Sequence, residues 1–127
     1  LLRLRPKYYV VDMAFKQLLL PDINRDRGHV LENVVYLELR RRGYTVYVGQ
    51  LTKGEIDFVA QKPGGILEYY QVSESVLDPT TRDRELAPLE AVKDQYPKFL
   101  LTMDELYKPH NYNGIQQCNV LDWLLGM

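Results

Sequence analysis

The feature that most constrains the fold is a turn sequence between two runs of residues that favour strands. Residues 54–61 and 66–73 are rich in β-branched and aromatic side chains, and residues 62–65 (KPGG) between them are typical of a turn. The pattern predicts two antiparallel strands joined by a short loop. A slip of one residue would turn every side chain to the opposite face, so the position of the turn decides which side chains meet.

Polar residues face each other across this predicted hairpin. If the loop centres on Gly64, Asp57 lies directly opposite Gln71, and Glu55 lies opposite Ser73. Facing residues of an antiparallel pair project to the same side, with Cβ atoms about 4.5–5.5 Å apart. We therefore expect Asp57 and Gln71 to converge. Alternation also predicts two opposite faces, one with Ile56, Phe58 and Ala60 and the other with Glu55, Asp57 and Val59.

The rest of the sequence predicts a mixture of helices and strands. Leu31, Val34, Val35 and Leu39 lie on one face of a helix at 28–42, which Gly43 ends. Further predicted elements are a strand at 7–11, a helix at 13–20, a strand at 45–51, a helix starting at Asp78, strands at 98–103 and 115–118, and a last helix capped by Asn119. This order predicts an α/β fold with a mixed central sheet flanked by helices. Residues 1–27 form a lead-in strand and helix, and residues 28–127 form the main domain.

Length and composition exclude several classes of protein. A chain of 127 residues suits one compact domain, and no apolar stretch is long enough to span a membrane. A single cysteine, Cys118, and two histidines provide neither a disulfide framework nor a zinc set. With no secretory leader at its start, the chain is expected to be soluble and cytoplasmic.

Basic residues occur in local groups, although the formal net charge of −1 gives no general attraction to nucleic acid. The groups are Arg25 with Arg27, the run 40–42, and Arg82 with Arg84. Runs of this kind are more often solvated helix surface than binding sites, and we favour that interpretation for 40–42.

Three residues are candidate ligands of a divalent cation. Asp57 and Gln71 supply a carboxylate and an amide oxygen, which are hard ligands suited to Mg²⁺. Glu32 follows Leu31 at the edge of the buried stripe of its helix, so its carboxylate can point along the sheet. Taken singly, each residue has an ordinary structural interpretation, as a strand-edge acid, a polar strand residue and an exposed helix carboxylate.

The order of a helical Glu32, then Asp57, then Gln71-Val72-Ser73 resembles the PD-(D/E)XK nuclease superfamily over residues 28 to about 103. Across nearly the whole chain, the amino-acid sequences of several segments are also similar to the C-terminal domain of unknown function that follows the AAA+ module in prokaryotic ATPases. The segments that carry this resemblance are KYYVVD, GHVLENVVYLELRRRGYTVYVG, EIDFVA, YYQVSES and YPKFLLTMDE. The resemblance implies a restriction-endonuclease-like core.

The resemblance also implies roles for individual residues. It makes Glu32 and Asp57 the acidic ligands of Mg²⁺ and places Gln71 where the third motif has its first acid or amide. Ser73 stands where active members have a lysine that activates water and offsets phosphate charge. A serine carries no positive charge at neutral pH, and an amide in place of a carboxylate weakens metal binding, so both changes predict reduced catalysis. Isolated cations that might compensate, or contact a phosphate, are Lys53, Lys62, Lys98, Arg82 and Arg84, although each is more often a surface charge.

Three functions remain open from the sequence. The first is an auxiliary domain of an AAA+ ATPase that binds DNA or RNA, or docks on its own ATPase module, with little or no cleavage. The second is an active Mg²⁺-dependent nuclease, and the third is a protein-interaction module with no nucleic-acid role. The chain opens at Leu1 without methionine and looks like a piece of a longer polypeptide. We expect ATP to bind only in an upstream module, because no G-x-x-x-x-G-K-[ST] loop occurs in these 127 residues.

Overall fold

The computed structural model describes residues 2–6 and 27–126. The strand predicted at 7–11 and the helix predicted at 13–20 lie outside the described residues. In chain order the elements are β1 (Arg3–Pro6), α1 (Arg27–Arg41), β2 (Thr45–Gln50), β3 (Glu55–Gln61), β4 (Leu67–Val72), α2 (Pro79–Ala91), β5 (Lys98–Thr102), β6 (His110–Tyr112), β7 (Ile115–Asn119) and α3 (Val120–Leu124).

Within residues 2–6 and 27–126, the strands form one mixed sheet of seven strands in the order β1-β2-β3-β4-β5-β7-β6. Neighbours from β1 to β4 are antiparallel, whereas β4, β5 and β7 are parallel, and β6 is antiparallel to β7. Because parallel neighbours cannot be joined by a tight turn, α2 provides the crossover from β4 to β5. The predicted α/β fold with a mixed sheet flanked by helices is confirmed.

Local signals set several of the boundaries as the sequence predicts. Gly43 follows α1 with a φ of 85°, a left-handed conformation that costs glycine little. The Asp78 side chain accepts from a backbone N–H of the first turn of α2 at 3.0 Å. The Asn119 side chain caps α3 in the same way at 2.8 Å. Each cap satisfies a helical donor that would otherwise lack a partner.

The sheet separates two apolar clusters. On one face, α1 and α3 pack against β2 to β5 through a cluster that includes Val35, Leu39, Phe58, Tyr70 and Trp123. On the other face, α2 packs through a cluster that includes Val59, Tyr69, Leu86, Leu89 and Leu100. Tyr69, Tyr70 and Trp123 are therefore core residues.

The hairpin of β3 and β4 has the predicted register. Phe58 pairs with Tyr70 and Val59 with Tyr69, so continuing the ladder places Asp57 opposite Gln71. The loop between the strands uses Gly64 and Gly65 at φ of 100° and 95°.

The predicted faces of β3 are wrong at the start of the strand, because the strand contains a bulge. Between the pairs Tyr47–Val59 and Gly49–Ile56, β3 has one more residue than β2. The extra residue shifts Ile56 to the α2 side, where it packs with Val59 instead of sharing a face with Phe58. Gly49 permits this approach, since a Cβ there would lie 2.9 Å from the Val59 side chain.

A short strand was not predicted near the end of the chain. The sequence predicts no strand between residues 103 and 115, whereas β6 lies there and pairs with β7. Asn113 and Gly114 both have positive φ, the conformation of a tight two-residue hairpin turn.

Candidate functional site

Asp57 and Gln71 lie close together as predicted, and backbone N–H groups take part in the hydrogen bonds that connect them. The Asp57 N–H donates to Oε1 of Gln71 at 2.7 Å, and the Val72 N–H donates to Oδ2 of Asp57 at 2.9 Å. The bulge in β3 explains this pattern, because an extra residue disturbs the regular ladder and its amide needs another acceptor. The two side chains together tie the bulge of β3 to the end of β4.

Gln71 also joins the sheet to α2. Its Nε2 donates to the backbone carbonyl of Glu85 at 3.2 Å, and a longer contact of 3.5 Å reaches the carbonyl of Glu55. Gln71 is only 3% exposed, so these hydrogen bonds satisfy a polar group that would be costly to bury alone. The amide connects β3, β4 and α2.

Ser73 lies just past β4 and is held in its loop. Its Oγ donates to the backbone carbonyl of Ser75 at 3.1 Å, and its N–H donates to the Leu101 carbonyl at 3.0 Å. The Ser75 Oγ in turn donates to the buried Asp104 carboxylate at 2.6 Å, which also accepts from the Val76 N–H at 2.9 Å. The loop that carries Ser73 is thus anchored to the end of β5.

A cleft of about 390 Å³ opens at the carboxyl end of β4, where the start of α1 and the middle of α2 approach each other. Its lining includes Glu32, Ser73, Arg84 and Glu85, together with Gly28, His29, Val72, Glu74 and Ser75. Asp57 and Gln71 are not part of this lining. The structure therefore brings Glu32 and Ser73 to one surface, and places Asp57 and Gln71 behind it.

One carboxylate in the cleft has a perturbed pKa. Burial raises the pKa of Glu85, and the nearby negative charge of Glu32 raises it further, while Arg84 acts in the opposite direction. Nδ1 of His29 lies 3.8 Å from Oε2 of Glu32. Sequence reasoning missed Glu85, since only the crossover path of α2 places it opposite Glu32.

The three predicted ligands do not fit a single Mg²⁺ site as they are arranged. The oxygen of Gln71 accepts a backbone hydrogen bond and an oxygen of Asp57 does the same, whereas Glu32 faces the cleft. Among residues 2–6 and 27–126, no group of three or more His, Cys, Asp or Glu side chains is placed to hold a metal ion. Glu32 and Glu85 are the acids that share the surface beside Ser73.

The candidate basic residues are dispersed. Arg84 lines the cleft, whereas Arg82 lies 3.6 Å from an oxygen of Asp83 and 5.8 Å from the Tyr112 ring centroid. Lys53 is exposed in the turn between β2 and β3.

Two other lysines are held in ion pairs away from the cleft. Lys98 is bonded to Asp94 at 2.9 Å and has only 11% of its side chain exposed. Lys62 lies 3.6 Å from Glu68. Of the predicted cations, only Arg84 lines the cleft beside Ser73.

The arginine run at the end of α1 is structural. Arg41 and Arg42 both donate to the Glu38 carboxylate at 2.7 Å. The Arg42 guanidinium also lies 4.3 Å from the Trp123 ring centroid and donates to the Trp123 carbonyl. Arg25 lies outside the described residues. The interpretation of residues 40–42 as helix surface agrees with these contacts for Arg41, whose side chain is 71% exposed.

No helix within the described part of the chain is long and apolar enough to cross a membrane.

Comparison with known proteins finds two uncharacterized relatives. The chain is 38% identical over 124 residues to an uncharacterized protein of Haemophilus influenzae, a match that covers 98% of this chain and 30% of that protein. It is 34% identical over 93 residues to the uncharacterized protein MJ1544 of Methanocaldococcus jannaschii, covering 69% of this chain and 20% of that protein. The chain thus spans less than a third of the length of either relative. No family model and no solved structure matches.

Proposed function

We propose that the chain is an auxiliary domain of an AAA+ ATPase, with a degenerate PD-(D/E)XK nuclease fold that binds nucleic acid or regulates the ATPase with weak or no cleavage. The proposal is supported by the resemblance of the segments around Glu32, Asp57 and Gln71 to that superfamily. The mixed sheet, with α1 on one face and α2 crossing over the other, is compatible with such a core.

The observation that carries the loss of cleavage is the use of Gln71 and Ser73 inside the fold. In an active nuclease of this type, these two positions supply an oxygen ligand and a cationic amine. Here the Gln71 oxygen accepts from the Asp57 N–H at 2.7 Å, and the Ser73 hydroxyl donates to the Ser75 carbonyl at 3.1 Å. Buried amides that satisfy three segments are costly to redirect. Both side chains therefore serve packing and loop geometry.

The remaining polar groups of the cleft suit binding better than hydrolysis. The guanidinium group of an arginine is a donor of hydrogen bonds to phosphate and a poor general base, so Arg84 suits contact with a phosphate better than activation of an attacking water. Glu32 and Glu85 place negative charge beside it, which opposes close approach of a polyanion. Weak phosphate binding without efficient cleavage follows from this balance.

An auxiliary role within a longer polypeptide is supported by the alignment lengths. Nearly all of this chain corresponds to 30% of the Haemophilus influenzae relative, so the same domain occurs there as a part of a larger protein. The identity of the larger part as an AAA+ module rests on the sequence resemblance alone.

One observation favours an active Mg²⁺-dependent nuclease as a second candidate. Glu32 and Glu85 both line the cleft beside Ser73, and Mg²⁺ is commonly held by one or two carboxylates with several waters. If the chain cleaves, we expect these two acids to be required.

The deciding experiment is a cleavage assay on supercoiled DNA, single-stranded DNA and structured RNA, with Mg²⁺ or Mn²⁺ and with EDTA. Wild-type protein is expected to show no metal-dependent cleavage above that of Glu32→Gln and Glu85→Gln proteins purified in the same way. These matched variants remove the charge but keep a side chain of the same size, so they also measure contaminating nuclease. Metal-dependent cleavage by the wild type that disappears in both variants would contradict the proposal and establish the second candidate.

A further inference from the structure

A group of three side chains outside the lining of the cleft joins α2 to β6. The Arg82 guanidinium of α2 is 5.8 Å from the ring centroid of Tyr112 in β6. The His110 ring, two residues earlier in the same strand, meets the Tyr112 ring edge-on, with centroids 6.3 Å apart and an interplanar angle of 71°. We call Arg82, His110 and Tyr112 the β6 patch.

The patch is held rigidly from beneath. The Tyr112 hydroxyl donates to Oε1 of Gln117 at 3.1 Å, and Gln117 is 2% exposed. Nε2 of Gln117 in turn donates to the Thr102 hydroxyl at 3.1 Å. A buried network of this kind restrains the tilt of the Tyr112 ring, which the Arg82 guanidinium approaches.

The strand that carries the patch is also constrained by its turn. Asn113 and Gly114 adopt φ of 53° and 94°, and the Asn111 side chain accepts from the Gly114 N–H at 2.8 Å. His110 and Tyr112 therefore project to the same side of a short strand whose register is fixed. Little conformational entropy would be lost when a ligand binds to such a surface.

The upper part of the patch is open to solvent. Among the strands that the structure describes, β6 is at the edge of the sheet; His110 is exposed, and the Arg82 side chain keeps 34% of its surface. An exposed imidazole and a partly exposed guanidinium are two flat, polarisable groups, and both lie beside the Tyr112 ring. Such groups stack on nucleobases, and a base in single-stranded nucleic acid exposes its faces for this contact.

We propose that the β6 patch binds single-stranded nucleic acid by stacking bases on His110 and Arg82, with Tyr112 as the positioning residue beneath them. The inference rests on the nucleic-acid role in the proposed function and assigns that role to a surface outside the cleft. Duplex DNA does not fit the patch, because its paired bases are already stacked on one another.

Electrostatics predicts how this binding responds to salt. Arg82 lies 3.6 Å from the Asp83 carboxylate, so the local net charge is small, as is the net charge of −1 of the whole chain. Few phosphates are neutralised, and each contributes a slope of only about −0.7 to the logarithmic dependence of the association constant on salt. Stacking supplies most of the binding, so the salt dependence is shallow.

The test is fluorescence anisotropy with labelled, unstructured oligonucleotides of about 12 residues, DNA and RNA, and with a duplex of the same length. Wild-type protein is expected to bind the single strands more tightly than the duplex. His110→Ala and Arg82→Ala are each expected to weaken single-strand binding by about tenfold, the lower part of the range for loss of one stacking contact. Tyr112→Phe keeps the ring but loses the hydroxyl bond to Gln117, and is expected to weaken binding by a smaller factor.

Matched variants separate the failure of this inference from the failure of the proposed function. Arg40→Ala removes an exposed arginine from α1, on the opposite face of the sheet, and is expected to leave binding unchanged. If binding survives in His110→Ala and Arg82→Ala but falls in Arg84→Ala, or if only duplex binds, the β6 patch is not the site and the nucleic-acid role stands. If wild-type protein binds none of the three probes, the inference and the nucleic-acid role both fail. Circular dichroism and thermal unfolding of each variant confirm that a loss of binding is not a loss of fold.

Discussion

The two carboxylate clusters on the helices differ in how their charge is balanced. At the end of α1, Glu38 accepts from two arginines, and the hydrogen bond from Arg41 is the largest cause that lowers its pKa to about 2. In the cleft, burial and the neighbouring Glu32 raise the pKa of Glu85, against one opposing arginine. The charge of Glu38 therefore stabilises the folded state, whereas the charge of Glu85 destabilises it. Unbalanced charge in a cleft is more typical of a functional surface.

The largest effect on the free energy of unfolding is expected for Gln71, whose hydrogen bonds join β3, β4 and α2. Gln71→Leu removes the acceptor for the Asp57 N–H and a donor to the Glu85 carbonyl; a buried donor left unpaired costs about 1–3 kcal/mol, and loss of a further hydrogen bond about 1 kcal/mol. We expect the free energy of unfolding, measured by urea denaturation, to fall by about 2–4 kcal/mol. Gln116→Leu, at an exposed position of β7, is the matched control and should change it by less than about 0.5 kcal/mol. Equal, small effects in the two variants would show that the Gln71 hydrogen bonds contribute little.

The balanced cluster gives an intermediate effect that depends on pH. Glu38→Gln removes the charge that pairs with Arg41 and Arg42, so the free energy of unfolding at pH 7 should fall by about 1 kcal/mol. The pKa of Glu38 in the folded state is about 2, below its ordinary value of 4.5, so its charge stabilises the protein above pH 4.5 and this contribution is lost as the pH falls toward 2. The difference between wild type and variant should therefore shrink between pH 7 and pH 3 in chemical denaturation. A difference that is constant with pH would contradict the role of the charge.

The smallest effect on the free energy of unfolding is expected for Glu85 in the cleft, where a substitution should raise stability instead of lowering it. Because the pKa of Glu85 is raised, the folded protein binds a proton there more tightly than the unfolded chain. Its charge is therefore a cost at neutral pH that disappears as the pH falls through the raised pKa. Glu85→Gln should stabilise the protein at pH 7 by less than about 1 kcal/mol, with no gain at acidic pH. Thermal unfolding at the two pH values measures this, and a loss of stability at pH 7 would remove the contrast with Glu38.

The register of the hairpin could be predicted from the sequence, because the glycines of its turn determine which residues face each other. The bulge in β3 could not, since residues 55–58 alternate as an ordinary strand and only the pairing with β2 reveals the extra residue. Its consequence is that Ile56 changes face and the Asp57 amide bonds to a side chain. The predicted register of Asp57 and Gln71 is therefore confirmed, but the sequence did not reveal that their side chains accept hydrogen bonds from backbone N–H groups.

The cleft was predictable only in part. Glu32 follows from the edge of the α1 stripe, and Ser73 from its place just past β4. Glu85 and the contact of Arg82 with Tyr112 depend on how α2 lies over the sheet, which no local pattern encodes. The Asn113-Gly114 pair was a usable signal for a hairpin, and the missed strand β6 is only three residues long, too short for alternation to mark it.

The most direct measurement of the central claim, that Asp57 and Gln71 tie the fold together and are not cation ligands, is thermal unfolding with increasing Mg²⁺ or Mn²⁺. A ligand that binds only the folded state raises the midpoint of unfolding in proportion to its occupancy. We predict the same dependence on the cation for wild type and Asp57→Asn, since asparagine keeps an oxygen acceptor for the Val72 N–H while losing the charge. A cation-dependent rise in the wild-type midpoint that is absent in Asp57→Asn would contradict the account.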